Sequence, residues 1–295
     1  TYALFKDVDG KFFTYDEYRD LIKDAQTDKD GNLIYLYATN KEEQYAYIET
    51  AKSKGYSVLL LDGQLDTAMV SMLEQKFEKS RFSRVDGDVI DRIIRKEDEK
   101  KEQLAAEDVA ALDGAFTAIL PQVDKAQFHV EAVAMGEQAA PVVITQSEYM
   151  RRMKDASRYQ QGMSFYGEMP DMYNVVLNSD HRLVKGILDD MKVSVKDQIA
   201  PIENELKGMR ARHAALESEQ KDKKPEDLTD AEKDDMKKCN DDIANLENKR
   251  KEVWANYGKG NKIASQLVDL ALLQNGLLRG EALNKFVNRS VELIK

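Results

Sequence analysis

Residues 262–294 constrain the fold of this chain more than any other stretch. The spacing predicts one helix from about Lys262 to Asn275 and another from about Glu281 to Ile294, with Gly276 and Gly280 punctuating the connection. Between Leu267 and Leu273 only Asp269 is polar, so the first helix is apolar on nearly every side. A helix resting on one core needs one apolar stripe, whereas a helix apolar all round must be covered on several sides. The second helix carries Leu283, Phe286, Val287, Val291 and Ile294 at i, i+3, i+4, i+8 and i+11, with Asn284, Lys285, Asn288, Arg289 and Glu292 opposite. Two helices of this length cannot enclose their own leucines, and each large side chain left in water forfeits ~1.5–3 kcal/mol. Pairing with the same helices of a second copy makes a four-helix bundle and recovers that loss. The expectation is therefore a symmetric homodimer whose interface includes Leu267, Leu270, Leu273, Leu283, Phe286, Val287, Ser290 and Ile294. The plainer alternative is that an upstream part of the same chain covers this pair.

Charge narrows the choice of partner. With 44 basic against 54 acidic residues the formal net charge is −10, which argues against nucleic acid or an acidic membrane held by bulk charge. No stretch reads as a membrane span or a signal peptide. The single cysteine, Cys239, rules out an internal disulfide framework and fits a reducing cytoplasm. The chain opens at Thr1 inside structured-looking sequence, which reads as a piece of something longer.

Residues 1–95 alternate strand and helix signals. Thr14-Tyr-Asp-Glu17 is a capping box ahead of a helix through Ile22. Apolar runs Leu33–Tyr37, Tyr56–Leu61 and Arg81–Val85 are separated by helices over about 41–54 and 65–77. Continuous apolar strands between helices predict a parallel sheet covered on both faces. The charged run Arg95–Glu102 marks a domain boundary near Lys96. Beyond it come a helix from about Ala105 to Pro121, a strand over Gln127–Val133, an antiparallel partner at Val142–Thr145 and a helix from Glu148 to about Tyr159. A third strand follows at Tyr173–Leu177, and Asn178 or Ser179 is placed to cap a helix near His181–Asp189.

Residues 195–255 differ in kind. Ile199, Ile202, Leu206, Met209, His213 and Leu216 step by 3, 4, 3, 4, 3; Met236, Cys239, Ile243, Leu246, Arg250 and Val253 repeat those steps. With Pro225 between them and a second capping box at Thr229-x-x-Glu232, this is an antiparallel two-helix coiled coil. The whole reads as a small α/β layer domain (1–95) followed by an α+β dimerisation domain (96–295). The second carries the coiled-coil insertion 195–255 and the C-terminal helix pair.

The residues offer no catalytic constellation. His129, His181 and His213 lie on different elements; His213 and Cys239 face each other across the seam, where a pair that fixes register is a better fit than a two-ligand metal site. Asp28-Lys-Asp-Gly31 opens like a calcium loop, but its twelfth position is Thr39, so it reads as a turn, as does Asp7-Val-Asp-Gly10. Asp62-Gly63 ends a strand where α/β proteins often bind ligands, yet it lacks the further glycines of a nucleotide loop. An enzyme using the Asp62–Asp66 strand end would have only the α/β pattern behind it. What remains is a binding surface. Methionines gather at Met135, Met150, Met153, Met163, Met169 and Met172. On the Glu148–Tyr159 helix, Tyr149, Met150, Met153 and Ala156 form one stripe, with Arg151, Arg152, Lys154, Asp155 and Arg158 on the rest. Thioethers suit surfaces that accept many partners, although composition alone would place such a stripe in a core. Ala68, Met69 and Met72 on the helix after Asp62 are a second sticky candidate.

Leu33–Thr39, Gly55–Asp62, Ser80-Arg-Phe82, Asn174–Val184 with its Asn178-Ser-Asp-His181, and Gln266–Leu293 together resemble the ninety-kilodalton heat-shock chaperone family, in its Bacteroidetes branch. The likeness covers nearly the whole chain outside 195–255. It implies that residues 1–95 are the C-terminal subdomain of a middle domain and that the rest dimerises. It also implies that the ATP-binding part, with its ATP and magnesium, lies upstream, leaving this fragment no cofactor and no enzymatic activity. Clients, meaning non-native or partly folded proteins, would contact the helix matching Tyr149, Met150 and Met153. The helix of Ala68, Met69 and Met72 matches a second contact, where relatives can offer a tryptophan and this chain has Ala68. The insertion departs from the usual family length, and the rival from another class is a coiled-coil scaffold docking through 195–255.

Overall fold

A computed structural model describes residues 4–63, 66–97, 104–157, 169–221, 223 and 228–294. In chain order its first elements are β1 (Leu4–Lys6), β2 (Phe12–Thr14), α1 (Tyr15–Gln26), β3 (Leu33–Ala38), α2 (Tyr45–Ser53), β4 (Val58–Leu60), α3 (Asp66–Lys76), β5 (Ser80–Arg84) and α4 (Ile90–Ile93). Then come α5 (Ala106–Thr117), β6 (Ala126–Val133), β7 (Val142–Gln146), α6 (Glu148–Ser157) and β8 (Asp171–Asn178). The remainder is helical: α7 (Arg182–Ser194), α8 (Lys196–Gln220), α9 (Asp230–Gly260), α10 (Lys262–Gln274) and α11 (Gly280–Ile294). The chain forms two compact units that interleave along the sequence: Thr1–Gln103, Pro121–His181 and Leu267–Lys295 make one, Leu104–Leu120 and Arg182–Gln266 the other.

The first unit is a mixed α/β body with three small sheets. Its parallel sheet, in the order β4-β3-β5, has the direction expected of its apolar runs. Alternation along β3 separates two cores. Tyr35 and Tyr37 face one, with Phe5, Tyr18, Ile22, Leu73 and Phe82, and Tyr35 stacks on Phe82 at 4.6 Å between centroids. Ile34, Leu36 and Ala38 face the other, with Ile48, Ala51 and Ile93. Burial on both faces is why this strand is apolar at every position. α1 starts on the expected capping box: the Glu17 amide donates to Thr14 Oγ1, and the Thr14 amide donates to the Glu17 carboxylate at 2.7 Å. β1 and β2 form an antiparallel hairpin ahead of it.

The second sheet corrects the expected pairing. Val142–Thr145 does not lie against Gln127–Val133. The order is β6-β8-β7, with β8 in the middle, parallel to β6 and antiparallel to β7. The physical reason lies in β8 itself. Val175, Val176 and Leu177 are fully buried, a run that only a central strand can cover, whereas β6 alternates and tolerates a sheet rim. Asn178 does more than begin a helix. Completely buried, it accepts from the Met135 amide and donates to the carbonyls of Gly136 and Ala139, tying the β6–β7 loop to the end of β8. Asp180 adds a bond from the Gly136 amide at 2.7 Å, and Gly136 needs its positive φ to turn there.

The second unit is helical. The helix expected from about Ala105 precedes β6 in the chain, belongs to this unit and packs on α9. At Gly258 a Cβ would stand 2.1 Å from the carbonyl oxygen of Ala115, so only glycine permits the approach. At Gly114 a Cβ would meet the ring of Trp254, which is buried. α8 and α9 form the expected antiparallel hairpin. Ile199, Ile202, Leu206, Met209, His213 and Leu216 all turn away from solvent, as do Met236, Cys239, Ile243, Leu246, Arg250 and Val253. Cross-hairpin pairs Arg210–Glu247 (2.9 Å) and Arg250–Glu203 (2.6 Å) fix the direction, and Arg250 also lies 4.9 Å from the Trp254 ring centroid. The Thr229–Glu232 capping box opens α9. His213 and Cys239 do not form the expected register pair. The Cys239 thiol donates to the Met209 carbonyl, while His213 lies 3.6 Å from Glu217 on its own helix.

Candidate functional site

The three acidic turns singled out in the sequence are closed on their own backbone. Asp7 Oδ1 accepts from the amides of Asp9 and Lys11, and Asp28 Oδ1 from those of Asp30 and Asn32, so each aspartate-rich loop is a turn whose leading carboxylate is spent on backbone, while Asp9 pairs with Lys52. Asp66 accepts from the Gly63 amide at 2.7 Å and closes the strand-end turn on itself. Among the described residues no cluster of His, Cys, Asp or Glu is grouped to hold a metal, and no helix is long and apolar enough to cross a membrane.

Two surfaces of the first unit carry the residues singled out in the sequence. The first is α6, and it is oriented against its own amphipathicity. Arg151 is buried, and Arg152 is largely so. Both point into a network centred on Glu148, which accepts from the Tyr37 hydroxyl (2.7 Å), the Arg84 amide (3.2 Å), Arg151 (2.8 Å) and Arg152 Nε (2.7 Å). Arg152 reaches on to Glu74 of α3 at 2.7 Å and to the Phe82 carbonyl at 2.8 Å. Glu74 in turn accepts from the Phe82 amide at 2.7 Å. Burial pushes the Glu148 carboxyl up, but the Arg151 charge, the Tyr37 hydroxyl and Arg152 outweigh it and hold the group below the usual carboxylate range. Burial likewise raises the Tyr37 phenol, with the Glu148 charge adding to it. Burial alone would lower Arg152, yet Glu74 and Glu148 more than reverse that.

With its arginines turned in, α6 leaves Tyr149 68% exposed, and Met150 and Met153 half-buried. Tyr149 thus stands in water, while the two methionines of the stripe are partly covered. On α3, Met72 is 58% exposed while Met69 packs against the core of Tyr35 and Phe82. The side chains of Ala68 and Ala156, and residues Met163 and Arg158, lie outside the described residues. Sequence reasoning missed Glu74, Glu148 and Tyr37. Their sole signal was the Ser147-Glu148 start of a helix rich in arginine.

The second surface is the C-terminal helix pair. Asp269 and Arg289 form an ion pair between α10 and α11; burial raises the Asp269 carboxyl, and Arg289 offsets only part of this. Val268, Ala271 and Leu272 are buried, and so are Leu267 and Phe286, which therefore belong to the protomer's own core and not to an outer face. Outward stand Leu270 (48% exposed), Leu273, Val287, Val291 (51%) and Ile294, with Leu283 and Ser290 half-buried. The Tyr47 hydroxyl, donating to the Ile144 carbonyl, lies 3.0 Å from Asn275 Oδ1 and joins the turn between these helices to α2 and β7.

A family model described as Hsp90 protein matches residues 5–206. Proteins named Chaperone protein HtpG are similar over 99% of this chain: 58% identical in Bacteroides thetaiotaomicron, 57% in Bacteroides fragilis and 45% in Porphyromonas gingivalis. The chain spans 43% of the length of each.

Proposed function

This chain belongs to the Hsp90 family, and from that premise we propose that it is the dimerising, polypeptide-holding part of an HtpG-type chaperone of the cytoplasm. Residues 1–95 act as the end of a middle domain and 96–295 as the dimerisation domain. On this reading ATP and magnesium belong to the part of the HtpG relatives that this chain does not span, and the role of these residues is to hold protein substrates. One observation carries the proposal. The same unit exposes aliphatic side chains along α10 and α11, at Leu270, Leu273, Val287, Val291 and Ile294, and an aromatic on α6 at Tyr149. Side chains of this size left in water, each forfeiting ~1.5–3 kcal/mol, are surfaces awaiting cover. The helix pair suits a second copy, because a twofold axis places the same apolar ridge opposite itself. Tyr149, Met150 and Met153 suit segments of unfolded protein, which vary in sequence and need an adaptable contact.

The test is a pair of variants. Leu270→Asp with Val291→Asp should give a monomer by light scattering at micromolar concentration, whereas Tyr149→Ser should keep the dimer and the melting temperature but bind an unfolded protein more weakly. A dimer from the first variant or unchanged binding by the second refutes that half of the proposal. The coiled-coil scaffold reading has less support. Among the described residues, α8 and α9 show no exposed large apolar side chain, because the seam is spent on the hairpin itself.

A further inference from the structure

The rim of the parallel sheet is closed by side chains in place of a strand. β5 is an edge strand, and three of its backbone groups are met by charge: the Phe82 amide donates to Glu74, the Phe82 carbonyl accepts from Arg152, and the Arg84 amide donates to Glu148. An open edge presents a row of such groups to any passing chain, and a charged helix is one way to cover it. Here the cover also decides how α6 sits. Burial of apolar surface alone would turn Tyr149, Met150 and Met153 towards the protein and leave the arginines in water. The edge offers unpaired donors and an acceptor instead, and these bind the charged face.

We propose that Arg152 is the positioning residue of the polypeptide-holding surface: by joining Glu148, Glu74 and the Phe82 carbonyl, it fixes α6 with its arginine face on the β5 edge and its Tyr149 face outward. This rests on the holding role assigned above to Tyr149. Arg152 serves three acceptors on two helices and a strand, at 2.7 Å (Glu148), 2.7 Å (Glu74) and 2.8 Å (Phe82), from one planar fork. A lysine is a single point charge and cannot span all three, so Arg152→Lys is not a conservative change at this position. Because Glu74 is on α3, the same fork also sets α6 against the helix that exposes Met72.

The experiment compares Arg152→Lys, Arg152→Met and Glu74→Gln with Tyr149→Ser. The readouts are amide hydrogen exchange over residues 148–157, affinity for a reduced and carboxymethylated unfolded protein, melting temperature and dimer mass. The Arg152 variants should speed exchange in α6 by about tenfold or more, the size expected when a charge-assisted hydrogen bond is lost, and should weaken binding by a similar factor at unchanged dimer mass. Glu74→Gln should do the same to a smaller extent, and it carries the test if an Arg152 variant does not fold. Tyr149→Ser should weaken binding with exchange as in the wild type. Faster exchange with wild-type binding in the Arg152 variants, while Tyr149→Ser still weakens binding, overturns the positioning role and leaves the holding role intact. Wild-type binding by Tyr149→Ser overturns the holding role and with it this inference. Unchanged exchange in every Arg152 variant shows that the network does not hold the helix, and also overturns it.

Discussion

The hairpin of α8 and α9 and the short helix α6 are both amphipathic in sequence, and they dispose of their charges in opposite ways. In the hairpin the apolar seam turns inward and ion pairs such as Arg210–Glu247 line the flanks, both side chains roughly half exposed. In α6 the arginines turn inward and Tyr149 turns out. The difference lies in what each helix meets. The hairpin arms meet a matching apolar ridge, so burial decides the orientation. α6 meets a sheet rim with unpaired amides and a carbonyl, where leaving a buried polar group unsatisfied costs ~1–3 kcal/mol, and polar satisfaction decides instead.

Three measurements break or sharpen that contrast. The largest effect belongs to the hairpin seam: Leu206 is fully buried, so Leu206→Ala should cost about 2–5 kcal/mol in urea unfolding followed by circular dichroism. A cost under half the lower bound would mean that the seam is loosely packed and that the helices are held by their flanking charges. The middle effect belongs to α6. Glu148→Gln should cost about 1–3 kcal/mol at neutral pH, since it strands two arginine partners in a site only partly open to water. Here pH supplies a sign. The folded carboxyl is held below its ordinary value, so its contribution is complete above the unfolded-state pKa and fades as pH falls through the folded one. The gap between wild type and Glu148→Gln should therefore be widest near neutrality and close in acid below about pH 4, whereas the Leu206→Ala gap should not follow pH in this way. A Glu148→Gln penalty that persists undiminished into acid would show that shape, and not charge, fastens the helix. The smallest effect is Arg210→Ala, about 0.5 kcal/mol or less, because both partners of that pair are well exposed; a penalty several times larger would erase the distinction between seam and flank.

The same contrast explains what was legible in the sequence. The hairpin's inward-facing residues could be read from the heptad step, although the expected His213–Cys239 contact across the seam is not made. The parallel sheet could be read too, since β3 is apolar at consecutive positions and demands cover on both faces. The order β6-β8-β7 could not. Neighbourhood in sequence suggested that β6 and β7 pair, and only the burial of Val175, Val176 and Leu177 places β8 between them. The terminal helices were legible as too greasy for water, but not in which residues point where. Leu267 and Phe286 sit in the protomer's core, while Leu270, Val287 and Val291 stand outside it, because the Asp269–Arg289 pair and the turn held by Tyr47 set the rotation of each helix. The orientation of α6 depends on Tyr37 and Glu74, more than 70 residues away in the chain, and no local period encodes so distant an encounter.

The packing of α5 against α9 has a spectroscopic consequence. Trp254 is the sole tryptophan of the chain, and it is pressed between Gly114 and the guanidinium of Arg250 within the helical unit. Indole emission excited selectively at long wavelength will therefore report on that unit alone and stay silent about the sheets, where tyrosines crowd the core. Followed beside tyrosine emission during heating, it will reveal whether the two bodies of this molecule melt together or one after the other.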